Sequence, residues 1–221
     1  MTALHKARIG VDIGGTFTDV ALEVGHRRFT AKTLTTSRAP EEGVLAALRS
    51  VLSEAGVDPG EVGVVIHGMT LATNALIERK GAKTALLTTE GFRDVVEIRH
   101  ENRFEQYDVN IDLPLPLVPR RRRLPICERI NAQGEILQVL DESSVARAIE
   151  TLAAEEVEAV AIGFLHSFTN PAHEHRVGDA IARALPNIAV TLSSDVSPEM
   201  REYERFSTAC ANAYLQPMIG R

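Results

Sequence analysis

The chain has 221 residues, 44% of them apolar, which is enough for one large or two small domains with a real core, and its formal net charge is -6. A net negative charge excludes general affinity for nucleic acid or anionic membrane surfaces, and only Arg120 to Arg123 runs against it locally. Cys127 and Cys210 are too few and too far apart for a disulfide framework or a metal knuckle, no leader pattern opens the chain, and no apolar run is long enough to span a bilayer. The expectation is a cytoplasmic protein with reduced thiols that carry no function. The apolar stretch from Asn212 to Arg221 leads to the expectation that more polypeptide follows.

In chain order, Arg8 to Ile13 has strand character and stops at Gly14 and Gly15, a pair suited to a tight turn. Phe17 to Val24 alternates as its partner strand, Gly25 and His26 make the next turn, and Arg28 to Thr35 supplies a third strand. Pro40, Glu41 and Glu42 mark a helix start, with Val44, Leu45, Leu48, Val51 and Leu52 at helical spacing and Gly56 as the stop. Val62 to Ile66 reads as a buried strand, Thr70 to Lys80 as a helix closed by Gly81, and Lys83 to Thr88 as a strand. Right-handed crossovers make the last two strands parallel to the first. The fold class is therefore α/β, a ribonuclease H-like mixed sheet of a β-meander followed by βαβ units, with a second α/β unit behind it.

Residues 91 to 135 contain Pro114, Pro116, Pro119 and Pro125 and are read as an irregular, substrate-side excursion. Beyond it, Asp141 caps a helix through Ala154, Glu158 to Leu165 is a buried strand, Asn170 and Pro171 open a helix to Leu185, and Ile188 to Leu192 is a strand. Ser197, Pro198 and Glu199 start a terminal helix. This second unit could extend the first sheet or form a layer of its own. The expected domains are a phosphate-binding subdomain over 1–90, the excursion over 91–135, and the second unit over 136–221.

The chemistry concentrates in Asp12-Ile-Gly-Gly-Thr-Phe-Thr-Asp19. A tight hairpin exposes successive backbone N–H groups, and Gly14 and Gly15 let a polyphosphate approach with no Cβ in the way. The turn from Gly14 through Gly15, Thr16 and Phe17 to Thr18 is the expected phosphate cradle, with Thr16 and Thr18 adding hydroxyl donors. Asp12, one residue before the turn, is placed to hold a hydrated Mg²⁺ against the same phosphates. A plain hairpin turn is the competing reading, but it leaves a costly carboxylate on an apolar strand unexplained.

This segment resembles the first phosphate-binding motif of the actin, sugar-kinase and heat-shock ATPase superfamily. Further blocks, from His67-Gly-Met-Thr-Leu-Ala-Thr-Asn74 through Gly81, Thr88-Thr-Glu-Gly-Phe-Arg-Asp94, His166-Ser-Phe-Thr-Asn-Pro-Ala-His-Glu174 and Ser197-Pro-Glu-Met-Arg-Glu-Tyr-Glu-Arg205, resemble the N-terminal region of the hydantoinase A/5-oxoprolinase family. The likeness runs from Arg8 to Leu215. It implies an actin-like ATPase fold, with ATP and Mg²⁺ as cofactors. The implied reaction is ATP-dependent opening of a cyclic amide, in which phosphoryl transfer to a carbonyl oxygen precedes ring-opening hydrolysis. It also implies a hydantoinase B-type partner, and relatives that serve as subunits of ketone carboxylases. Asp12 and Thr16 would be the catalytic residues. The resemblance places the other half of the nucleotide site outside these residues, so weak ATP binding and little turnover are expected of this chain alone.

A second candidate follows the fourth strand, where His67, Thr70, Thr73 and Asn74 are read as contacts for substrate or γ-phosphate, against ordinary helix entry with Thr70 as N-cap and His67 in the core. The family often carries Thr where Met69 stands, which puts one hydroxyl contact, and with it the choice of substrate, in doubt. Arg99, His100, Arg103 and Arg120 to Arg123 read as surface or interface salt bridges before an anion site. His173, Glu174 and His175 lack the four-residue spacing of zinc hydrolases and are not read as a metal site. A ribonuclease H-type nuclease would need an acidic residue where His67 and Gly68 stand. A noncatalytic actin-like module stays open.

Overall fold

The computed structural model describes residues 7–36, 39–100 and 107–219. The chain divides into two compact units, Met1–Glu78 and Arg79–Arg221.

In the first unit, β1 (Ala7–Ile13), β2 (Phe17–Val24) and β3 (Arg27–Leu34) form the antiparallel meander, and β4 (Val62–Met69) joins β1 in parallel, giving the order β3-β2-β1-β4. Helix α1 (Pro40–Ala55) opens with Glu41 and Glu42 in its first turn, where they complement the helix dipole, and ends on Gly56 at φ 67. It covers one face of the sheet: Ala7, Ile9 and Val11 of β1 and Val20 and Leu22 of β2 are buried with Ala47 and Val51 of the helix. The alternate β1 residues Arg8, Gly10 and Asp12 lie on the open face. Among the described residues β4 is an edge strand, and Val64, Val65 and Ile66 on it are 45%, 55% and 56% exposed. Helix α2 (Leu71–Ile77) follows directly and is shorter than the spacing predicts, since Arg79 takes a φ of 57 that ends the helix before Gly81.

The second unit is built on four parallel strands in the order β10-β9-β5-β6. They are β5 (Thr84–Thr89), β6 (Arg123–Ile126), β9 (Ala159–Gly163) and β10 (Ala189–Leu192). Between β5 and β6 lie α3 (Val95–Ile98) and an extended chain; β7 (Arg129–Ile130) and β8 (Ile136–Gln138) form a small ladder. Helices α4 (Glu142–Ala154) and α5 (Ala172–Ala184) pack one face, burying Val145, Leu152, Val177 and Ile181 against Leu87, Val160 and Ile162. The short α6 (Ser193–Val196) precedes α7 (Glu202–Ile219), which buries Phe206, Ala209 and Ala213 on the other face.

The strand predicted over 83–88 does not continue the first sheet; as β5 it pairs with β6 and β9, with every residue buried as in a central parallel strand. The terminal helix begins at Glu202 and not at Ser197, because Arg201 adopts a φ of 94 and separates Pro198 from the helix.

The basic residues of the excursion are structural. Arg120 meets Asp94 at 2.9 Å, and buried Arg123 meets Glu97 at 2.6 Å and the Val118 carbonyl at 3.0 Å. Arg122 reaches Glu155 at 3.5 Å, with Arg121 at 3.9 Å; Arg99 donates to the Pro114 carbonyl, and His100 meets Glu204 at 2.9 Å. The Arg120 guanidinium holds the Asp94 carboxyl below its ordinary range. Arg103 lies outside the described residues. His173 bonds Glu128 at 2.8 Å, and Glu174 accepts from the Phe164 and Ser194 N–H groups at 2.9 Å each, so this segment ties α5 to the strand ends. No group of three or more candidate metal ligands occurs among the described residues.

Candidate functional site

The first unit brings the two sequence candidates together. Thr70 N–H donates to the Ile13 carbonyl at 3.1 Å, which ties the end of β4 to the end of β1. A Cβ built on Gly15 would stand 3.3 Å from Asn74 Nδ2, and one on Gly14 would stand 2.9 Å from the Phe17 carbonyl oxygen and 4.0 Å from Thr70 Oγ1. Glycine is therefore required at 14 by backbone, whereas a Cβ at 15 would press on the Asn74 amide, which would have to shift slightly. Hairpin tip and helix entry meet at the C-terminal ends of the parallel pair β1 and β4, the side of an α/β sheet where ligands gather.

The hairpin closes through Gly14 N–H to Phe17 O at 2.9 Å. Among the described residues the N–H groups of Gly15 and Thr16 donate to nothing within the chain. Thr16 is exposed and Phe17 is 43% exposed, its ring 4.8 Å beneath the Lys32 ammonium.

Asp12 is exposed, and its side chain makes no hydrogen bond or ion pair with the described residues. The burial cost expected for it from the sequence is absent, because it sits on the sheet face that α1 leaves open. Directly across the ladder from it stands Asp19, a pairing that sequence reading missed although the two-residue loop fixes it: Gly14 opposes Phe17, so position 12 opposes 19. Asp19 is paired with Lys32 at 3.0 Å. Lys32 already neutralises Asp19, which leaves Asp12 as the free hard oxygen donor that could hold a hydrated Mg²⁺.

Thr18 departs from its expected role. It is 0% exposed, and its hydroxyl bonds that of Thr35 at 2.9 Å inside the unit, so it supports the turn from beneath. His67 is neither in the core nor beside Asp12. It is exposed, and its register with Val11 puts it on the face opposite Asp12. Thr70 caps α2 without a side-chain cap bond, and Thr73 is exposed on that helix.

A meander closed by a parallel fourth strand, with a glycine hairpin at the strand ends, is the ribonuclease H-like plan expected from the sequence. Within that class, the chain belongs to the hydantoinase/oxoprolinase N-terminal region family, whose model matches residues 8–185. The caprolactamase subunit alpha of Pseudomonas jessenii is 39% identical over 226 residues, covering 98% of this chain and 32% of that protein. The crystal structure of the ATP-dependent caprolactamase from the same organism superposes with a TM-score of 0.83 at 37% identity, over 97% of this chain and 32% of that one. Nucleotide-free acetone carboxylase gives a TM-score of 0.85 at 25% identity, over 96% and 32%. The chain thus spans about a third of the length of these relatives. Among the described residues no helix is long and apolar enough to cross a membrane.

Proposed function

We propose that this chain is the nucleotide-binding part of an ATP-dependent enzyme that opens a cyclic amide, such as a hydantoin, 5-oxoproline or a lactam. Phosphoryl transfer to the amide carbonyl oxygen precedes ring-opening hydrolysis, and a hydantoinase B-type subunit or domain completes the enzyme. The observation that carries this reading is the pair of unbonded N–H groups at Gly15 and Thr16 beside the free carboxylate of Asp12. Support comes from relatives named as ATP-dependent enzymes.

In this reading the Gly15 and Thr16 amides hold phosphate oxygens, as successive N–H groups in a turn do, and the Thr16 hydroxyl adds a donor. Gly14 and Phe17 shape the approach and Thr18 braces it. Asp12, with Asp19 opposite, accepts hydrogen bonds from water around Mg²⁺. The ion supplies charge neutralisation to the phosphates. Thr70 and Asn74 flank the hairpin and are assigned to the transferred phosphate or substrate, with Thr73 one helical step away. The geometry gives His67 no contact with that group.

A second reading, the ATP-binding subunit of a ketone carboxylase, is supported by the similarity to acetone carboxylase. The two part on what drives ATP consumption in the full-length enzyme carrying this region: a cyclic amide, or a ketone with bicarbonate. In either case Asp12→Ala is expected to lower ATP-coupled turnover by about 10²-fold or more, the scale of losing a preorganised charge-stabilising group. An Asp12→Ala enzyme with full coupled activity would remove the mechanism.

A further inference from the structure

The turn that carries the free amides is held from inside by one residue that the motif does not include. Thr35, just past β3, makes three bonds with it. Its N–H donates to the Thr16 carbonyl at 2.9 Å, its hydroxyl donates to the Gly14 carbonyl at 2.9 Å, and the hydroxyl oxygen stands 2.9 Å from that of Thr18. Since the Thr35 hydroxyl hydrogen goes to Gly14, Thr18 must donate to Thr35. The result is a relay from Thr18 to Thr35 to the Gly14 carbonyl, with Thr18 fully buried.

A trans peptide unit points its C=O and N–H in opposite directions. Drawing the Gly14 carbonyl toward Thr35 therefore turns the Gly15 N–H away from it, while the bond from the Thr35 N–H to the Thr16 carbonyl pins the peptide unit that Thr16 shares with Phe17 and so anchors the far side of the turn. Without the hydroxyl, the Gly14 peptide plane is free to rotate and its N–H to turn inward. Thr35 is itself held in place, because Gly43 of α1 lets the helix approach the end of β3: a Cβ there would lie 3.1 Å from the Leu34 carbonyl oxygen.

We propose that Thr35 is the positioning residue of the phosphate cradle, aiming the Gly15 amide outward through its hydroxyl bond to the Gly14 carbonyl and anchoring the Thr16 end of the turn through its own N–H. It rests on the phosphate-site reading above and adds to it a residue and a relay outside the turn. The prediction is specific to the hydroxyl. Thr35→Val, which keeps the shape, is expected to weaken polyphosphate binding about tenfold, the loss of one charge-assisted contact's alignment. Thr35→Ser is expected to restore it to within about a factor of two. Thr18→Val, which leaves the Gly14 bond but frees the Thr35 rotamer, should fall between them.

The test is an amide-resolved NMR titration of the 221-residue chain with inorganic tripolyphosphate and Mg²⁺ at millimolar concentration, following Gly15 and Thr16, with a thermal unfolding midpoint for each variant. Saturable shifts at those amides, weakened in Thr35→Val and recovered in Thr35→Ser at matched folded fractions, bear the inference out. Wild-type binding that Thr35→Val leaves unchanged overturns the role of Thr35 while keeping the phosphate site. A wild-type chain whose Gly15 and Thr16 amides do not respond overturns the site and this inference together. If Thr35→Val fails to fold, Thr18→Val with unaltered binding overturns the relay.

Discussion

At the scale of single residues, the motif from Asp12 to Asp19 was legible because its spacing encodes its geometry. Two glycines at the end of a strand predict a turn, and the turn predicts which N–H groups are left free. What was not legible was the environment on either side. Thr18 and Asp19 are neighbours in the chain, yet one is buried beneath the turn and the other exposed beside Asp12, and only the strand's period of two separates them. Thr35 gave no signal at all, since it meets the hairpin across 21 residues of chain. Gly163 is a similar case in the second unit. It ends β9, and a Cβ there would stand 2.4 Å from Phe206 Cδ1. Gly163→Ala is therefore expected to destabilise the protein by about 1–3 kcal/mol through overpacking, measured by denaturant unfolding, and Phe206→Leu in the same chain should recover part of the loss.

At the scale of elements, helices announced themselves through caps and apolar spacing and the meander strands through the turns that join them, but the partners of strands distant in the chain did not. Asp141 is the cap its place before the apolar spacing predicts, accepting from the Ser143 N–H at 3.0 Å and the Ser144 N–H at 3.2 Å. The Ser143 bonds, first that of its hydroxyl, hold the Asp141 carboxyl below the ordinary carboxylate range. A depressed folded-state pKa contributes stability that is present above the unfolded value and is lost as pH falls through the folded one. The unfolding midpoint should thus drop on acidification below about pH 4, and Asp141→Asn, which still caps, should show a shallower drop. A midpoint profile identical in the two proteins would contradict this. By contrast, the apolar run that became β5 carried no mark of which sheet it would enter, because a strand buried on both faces reads the same wherever it lies. Its partners Ala159 to Gly163 come more than seventy residues later.

At the scale of the whole molecule, composition and charge allowed one large or two small domains, and the chain forms two compact units, each with its own core. The α/β class and the meander followed by βαβ units were legible from the alternation of element types. The division at Glu78 was not, since Gly81 looks like an ordinary helix stop and nothing in composition shifts there. Its physical cause is the length of β5's commitments: once that strand pairs with β6 and β9, it belongs with them.

The bare rim of β4 has a consequence for handling the protein. A row of outward N–H and C=O groups, flanked by Val64, Val65 and Ile66 at 45%, 55% and 56% exposure, is a template for edge-to-edge stacking between molecules. The purified 221-residue chain should therefore show concentration-dependent light scattering. A charge placed in that rim, as in Val65→Lys, should suppress it without altering the far-ultraviolet circular dichroism spectrum.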